Sequence, residues 1–187
     1  MPGDAQETRQ RLIEAASREF AARGIAGARV DRIAALAGCN KALIYFHFAS
    51  KDGLFDAVFD QVVVRTVREV PIDPDDLPGY AGRLYDGYRL HPETLQLATW
   101  YRLERSRDRP PLEGIVSANG DKIAAIEVAQ REGRLPGRFR AAELLALVLT
   151  ISTMWASTAP EFSGDVDDPE RQRRTITEAV AALLAVS

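Results

Sequence analysis

The stretch K-A-L-I-Y-F-H-F-A-S-K, from Lys41 to Lys51, gathers the side chains best able to do chemistry. On a helix, Ile44 and Phe48 lie four residues apart and face inward, which turns Lys41, Tyr45, Phe46 and His47 outward. Lys51 stands at the start of the next helix, where its ammonium and the free backbone N–H groups suit a phosphate. This chemistry is non-covalent: cations, a phenol and an imidazole for phosphates, and outward side chains for base edges. The other reactive types are scattered. His47 and His91 are far apart in sequence and Cys39 is solitary, so no cluster has metal-ligand spacing. Cys39 reads as a small packed residue in a turn rather than a redox sensor. There is no Gly-rich phosphate loop and no nucleophile motif. The acid pairs Asp75/Asp76 and Asp167/Asp168 read as loop features or helix starts, with Asp168 capping the last helix. The expectation is a non-enzyme with no cofactor and no metal.

The elements that must position these residues are helices, and the fold class expected is all-α. No run shows the strict alternation of a half-buried strand. Thr8 to Arg23 carries Leu12, Ile13, Ala16 and Phe20 at helical spacing, and Gly24 supplies the stop. Val30 to Ala37 is a short helix with Val30, Ile33, Ala34 and Ala37 on one face, ended by Gly38. A third runs from about Asn40 to Phe48. Ser50 is a good N-cap for a fourth, from Lys51 to about Val70. Two short helices around a tight Gly-containing turn, packed by another, make a helix-turn-helix. Pro71 to Pro78 reads as a loop and the clearest internal break. Further helices are expected over Gly79–Leu90, Pro92–Ser106, Pro111–Gly133, Arg140–Ser157 and Asp168–Val186. Loops fall over Arg134–Gly137 and Ala159–Asp167.

Apolar residues make up 46% of the chain, enough for a real core. The longest apolar run, around Leu144 to Ile151, is far short of the roughly 20 residues of a membrane span. Met1 to Gln10 is polar and carries acids, unlike a secretory signal. With one cysteine there is no internal disulfide framework, so a cytoplasmic, reduced protein is expected. The net charge of −3 hides a local pattern. Between Ile25 and Lys51, the cations Arg29, Arg32, Lys41 and Lys51 face Asp31 alone, and phosphate affinity depends on where the positive charge lies.

The span from about Thr8 to Phe59 resembles the DNA-binding domain of the TetR family. The residues that carry the resemblance are L-I-E-A-A-S-R-E-F-A-A-R-G (Leu12 to Gly24), V-D-R-I-A-A-L-A-G (Val30 to Gly38) and K-A-L-I-Y-F-H-F-A-S-K-D-G-L-F (Lys41 to Phe55). The resemblance implies a three-helix helix-turn-helix domain over 1–50 joined to a larger helical ligand-binding and dimerisation domain over 51–187. It implies a sequence-specific transcriptional regulator, a repressor released from a palindromic DNA operator by a small molecule. The DNA-contact set it implies is Arg29, Asn40, Lys41, Ala42, Tyr45, Phe46, His47 and Lys51. Tyr45 and Lys51 match backbone-contacting positions, His47 a phosphate-touching one, and Asn40, Lys41 and Phe46 variable positions that help choose bases. Two departures stand out. Arg29 replaces the family's usual Ser or Thr cap, losing the cap while keeping a guanidinium for phosphate. Leu43 replaces a frequent Thr and can read only a thymine methyl.

The remainder carries the expectations for ligand and partner. Arg140–Ser157 is apolar on more than one face, and the last helix bears Ile176, Val180, Leu183 and Leu184 in register. This pair resembles the family's dimer interface, which implies a homodimer that reads two half-sites. Phe59, Val63, Tyr85, Tyr88, Trp100, Tyr101, Leu103 and Met154 are the expected pocket walls for an unknown effector. His91, Gln96, Thr99 and Asn119 are candidates for orienting it. Two other readings stay open: a helical small-molecule binder whose N-terminal domain no longer reads DNA, favoured by Arg29 and Leu43, and a helical enzyme. No membrane partner is expected.

Overall fold

The computed structural model describes residues 2–105, 110–156 and 168–185, and every regular element among them is helical. The α-helices are α1 (Pro2–Gly27), α2 (Val30–Ala37), α3 (Ala42–Phe48), α4 (Lys51–Glu69), α5 (Leu77–Leu90), α6 (Glu93–Glu104), α7 (Glu113–Arg131), α8 (Ala141–Ser152) and α9 (Pro169–Leu184). Two 3-10 turns, Pro74–Asp76 and Met154–Ala156, complete the set. The residues divide into two compact units, Met1–Val64 with Pro92–Gly114, and Arg65–His91 with Ile115–Ser187. The expected loop Ala159–Asp167 and the expected helix ends at Ser106, Ser157 and Val186 lie outside the described residues. No described helix is long and apolar enough to cross a membrane.

In the first unit, Leu12, Ile13, Ala16 and Phe20 of α1 are buried, as their spacing predicts. Ile33, Ala34 and Ala37 of α2, Ile44 and Phe48 of α3, and Leu54, Phe55 and Val58 of α4 are buried as well. The Phe20 and Phe55 rings meet edge to face at 5.2 Å, a favoured aromatic geometry. Ser50 caps α4 by accepting the Gly53 N–H at 2.9 Å. Gly38 ends α2 in the left-handed conformation (φ 65), which only glycine adopts cheaply. Gly24 breaks α1 at φ 72, but the chain then makes one more helical turn to Gly27, beyond the expected stop. That turn is held from α6: Glu104 Oε2 accepts the N–H groups of Ile25 (2.5 Å) and Ala26 (2.9 Å).

The second unit has its core among Leu77, Tyr80, Ala81, Leu84 and Tyr85 of α5, Ile126 and Ala129 of α7, Leu144, Leu145 and Val148 of α8, and Ile176 and Val180 of α9. Gly82 lets α9 approach α5 closely; a Cβ there would lie 3.0 Å from the Arg173 guanidinium. Tyr85 donates its hydroxyl to Gln172 Oε1 at 2.5 Å, and Trp155 donates its indole N–H to the Gln172 carbonyl. The Pro71–Pro78 loop is shorter than expected. Asp73 accepts the Asp75 N–H and Asp76 accepts the Gly79 N–H, so a 3-10 turn forms at Pro74 and α5 starts at Leu77 rather than Gly79. Asp168 caps α9 through the Glu170 N–H, as its position predicts.

Candidate nucleic-acid interface

The helix-turn-helix is α2, the turn at Gly38–Lys41, and α3. Ile44 and Phe48 face inward, at 0% and 8% exposure, and fix which face of α3 is free. Tyr45 (52% exposed) and Phe46 (79%) then project outward. An exposed tyrosine next to an almost fully exposed phenylalanine on a seven-residue helix does nothing for the core. His47 is half-buried and meets the Phe46 ring edge to face at 5.1 Å. Asn40, Lys41 and Ala42 are exposed at the start of α3. Asn40 Oδ1 accepts the Ala42 N–H at 2.9 Å, so this side chain caps α3 and keeps its amide N–H groups for another partner. Lys41 pairs with Asp31 at 3.1 Å, both well exposed. Leu43 is half-buried.

Arg29 is exposed, at the N-cap of α2, with no side-chain cap. Its backbone N–H donates instead to Glu19 Oε1 of α1 (3.1 Å), and the same oxygen accepts Arg32 Nε at 2.7 Å. Glu19 is 6% exposed. Burial alone would raise its carboxyl pKa. The Arg32 hydrogen bond, the Arg29 N–H and the charges of Arg32 and Arg23 together bring it below its usual value. Lys51 is half-buried, and its ammonium donates to the carbonyls of Ala26 (3.2 Å) and Ala28 (3.1 Å). An ammonium has three N–H groups, so one is left over.

Residues 12–58 match the family described as bacterial regulatory proteins, tetR family, and residues 76–181 match the tetracyclin repressor-like C-terminal domain. The chain belongs to the tetR family. As a member it is an all-helical, DNA-binding regulator of transcription with a helix-turn-helix head. Among its relatives is the HTH-type transcriptional repressor SCO4008 of Streptomyces coelicolor, 38% identical over 85% of this chain and 83% of that protein. Another is the HTH-type transcriptional repressor NicS of Pseudomonas putida, 25% identical over 73% of this chain and 68% of that protein. The crystal structure of SCO4942 from Streptomyces coelicolor superposes with a TM-score of 0.82 at 37% identity, covering 94% of this chain and 97% of that one.

The pocket residues expected for this tetR-family chain divide between its units. In the first, Phe59 stacks on Tyr101 at 4.8 Å and on Phe55 at 6.0 Å. Trp100 donates its indole N–H to the Ala21 carbonyl of α1, Val63 is half-buried, and Leu103 is exposed. In the second, Tyr85 is buried in the core, and Tyr88 and Met154 pack against it. Of the polar candidates, Thr99 is spent on the Leu95 carbonyl, His91 lies 3.8 Å from Glu69, Gln96 is exposed and Asn119 is half-buried. Sequence reasoning missed Glu19 and Glu104, which hold the ends of α1 and α2. For Glu19 a signal existed: it follows Leu12 and Ala16 at i+7 and i+3, a carboxylate on an apolar face.

Proposed function

We propose that this regulator is a repressor that reads a palindromic operator as a homodimer and leaves it when a small molecule binds. The observation that carries the DNA-reading part is the free face of α3, where Tyr45 and Phe46 are exposed while Ile44 and Phe48 anchor the helix. Arg29, Asn40, Lys41, Ala42, Tyr45, Phe46, His47 and Lys51 form the reading head. Arg29, Lys41 and the remaining N–H of Lys51 serve phosphates; Asn40 and Phe46 serve base edges. The names of SCO4008 and NicS as repressors support the sign of regulation.

In this reading, residues 1–50 are the DNA-binding domain and 51–187 the ligand-binding and dimerisation domain. The dimer forms through α8 and α9, where Ala142, Ala146 and Thr150 on α8 and Ala181 and Ala182 on α9 are exposed. Two such heads present α3 twice, about one DNA turn or a multiple apart. Ligand binding shifts α4, whose first residue is Lys51, and this changes the spacing of the heads. The ligand acts only through its differential affinity for the two states. The protein works in the cytoplasm, performs no catalysis and uses no cofactor.

The test is fluorescence anisotropy on the DNA upstream of its own gene, across a salt series, with Tyr45→Ala and Lys51→Ala. Selective binding that falls steeply with salt and is lost in both variants is expected. Weak, non-selective binding, equal in the variants, would favour a helical ligand binder that has stopped reading DNA.

A further inference from the structure

Among the described residues of the first unit, the half-buried cations are Arg9, Arg32, Lys51 and Arg105. Arg32 donates to Glu19 and to the Gly27 carbonyl. Lys51 donates to the carbonyls of Ala26 and Ala28, and Arg105 to Asp56 and the Pro110 carbonyl. Arg9 of α1 differs. No described oxygen accepts from its guanidinium. Its described partner is the ring of Phe48, whose centroid lies 5.3 Å from the guanidinium carbon. A ring face attracts the charge but leaves the N–H groups of the fork in need of acceptors. The side chains of Arg18, Arg29 and Arg102 also lack a described acceptor, but they are exposed and water serves them. Arg9 is the cation that the fold holds in place without giving it an anion.

Where it is held narrows the purpose. Phe48 is the last residue of α3 and Lys51 the first of α4, so the ring sets Arg9 at the corner between these helices. The His47 ring stands 6.0 Å from the Phe48 ring at the same corner. A reading helix in the major groove runs between two phosphate backbones, so both of its ends need cations. At the start of α3 stands Lys41, in its exposed pair with Asp31. At the far end Lys51 gives two carbonyls its ammonium, and an ammonium has only three N–H groups. That end is short of free donors, and Arg9 brings a complete guanidinium fork to it. The acids of its own helix do not neutralise it: Glu14 accepts from Gln10 at 2.9 Å, and Glu7 is exposed and pairs with no described cation.

We propose that Arg9 is a DNA-contacting residue, its guanidinium seated on the Phe48 ring and gripping an operator phosphate at the C-terminal end of α3. This rests on the DNA-reading function and extends the reading head from residues 29–51 to α1. The ring orients the fork before DNA arrives, so less side-chain freedom is lost on binding. The contact is to the backbone, so it adds affinity and orientation without base preference.

The experiment measures anisotropy of the full chain on its upstream DNA and on a random duplex, across a salt series, for the parent, Arg9→Met and Arg9→Lys. Met keeps an apolar stem and a sulfur over the Phe48 ring, so Tm is expected to stay close to the parent's. Arg9→Met is expected to lose about tenfold in affinity for both DNAs at low salt, the size of one charge-assisted bond, and to lower the salt slope by about 1. Arg9→Lys is expected to restore the slope, because the charge returns, but only part of the affinity, because the fork does not. Operators carrying single methylphosphonates, which are neutral, locate the contact: one position is expected to weaken the parent while leaving Arg9→Met unaffected. A parental slope in Arg9→Met, with or without a lower Tm, would overturn the contact and leave Arg9 as packing on Phe48. Loss on operator DNA alone, or no methylphosphonate position that distinguishes the two proteins, would overturn it as well. The parent separates the two readings. Steep, selective parental binding with an unchanged slope in Arg9→Met sinks the Arg9 contact alone. A parent that binds neither DNA sinks the DNA-reading function and the contact with it.

Discussion

Glu19 and Arg32 join α1 to α2 through a buried carboxylate: Arg32 Nε donates to Glu19 Oε1 at 2.7 Å, and the same oxygen takes the Arg29 N–H at the head of α2. This oxygen secures the helix start that the missing Ser or Thr cap leaves open. Glu19→Gln keeps the shape and removes the charge. A hydrogen bond to a charged group is worth about 2 kcal/mol, so Tm at pH 7 is expected to fall by several degrees. Arg32→Ala is expected to cost more than Glu19→Gln, because it leaves a carboxylate buried without its cation. Thermal melts of both variants check the order.

The pH dependence follows from two carboxyls that shift in opposite directions. The folded pKa of Glu19 lies below its ordinary 4.5, so its stabilisation is present above 4.5 and disappears as pH falls through the folded value. Asp60 of α4 is raised from its ordinary 3.8 by burial and by the charges of Asp56 and Glu113. Its ionised form is the disfavoured one, so stability falls as pH rises from 3.8 through the raised value. Asp60→Asn is therefore expected to melt higher than the parent at pH 7 and equal to it at about pH 3, where both carry a neutral group. Glu19→Gln is expected to melt lower at pH 7 and to converge with the parent in acid. Melting curves from pH 3 to 7 separate the two patterns.

A second carboxylate governs the turn after Gly24. Glu104 accepts the Ile25 and Ala26 N–H groups, and the carbonyls of Ala26 and Ala28 in turn receive the Lys51 ammonium. The segment between α1 and α2 is thus held from α6 on one side and from the start of α4 on the other. Glu104→Ala is expected to weaken operator binding although it is not in the reading head. Glu104→Ala with Lys51→Ala is expected to lose less than the sum of the two, as groups in one network do. Gly24→Ala is expected to be worse than either for folding: its φ is +72, and a Cβ would lie 2.9 Å from the Glu104 oxygens and 3.0 Å from the Trp100 ring. Anisotropy titrations of the variants and their double mutant give the coupling directly.

Local signals made the helices legible. Val30–Ala37 has the bounds its apolar stripe and Gly38 predict, and Lys51–Glu69 follows its Ser50 cap. The outward set on α3 followed from Ile44 and Phe48 alone. The contacts that position the reading head were not legible in the same way. Glu104 meets Ile25 from 79 residues away, and no local pattern encodes that meeting. Asp75 and Asp76 read as loop features or helix starts; that Asp76 caps α5 and Asp73 caps a 3-10 turn depends on which backbone N–H each oxygen reaches. Nothing local in the sequence singles out Tyr80, a buried residue whose hydroxyl has no hydrogen-bond partner.

The last prediction concerns Lys41, Asp31 and Phe46. The Lys41–Asp31 pair is exposed on both sides, and such pairs are worth at most about 1 kcal/mol, so a DNA phosphate displaces Asp31 easily. Asp31→Asn is expected to raise operator affinity a few-fold by removing a negative charge that phosphates must approach. Lys41→Ala is expected to lower affinity for operator and random DNA alike and to reduce the salt slope by about 1. Phe46 has no charge and is 79% exposed. Phe46→Ala is expected to leave the salt slope unchanged and to lower the ratio of operator to random-DNA affinity, because an apolar ring can act only at base edges and thymine methyls. A Phe46→Ala variant that loses affinity for both DNAs equally would place the ring against the sugar-phosphate backbone instead. It would then leave Asn40 to read the sequence.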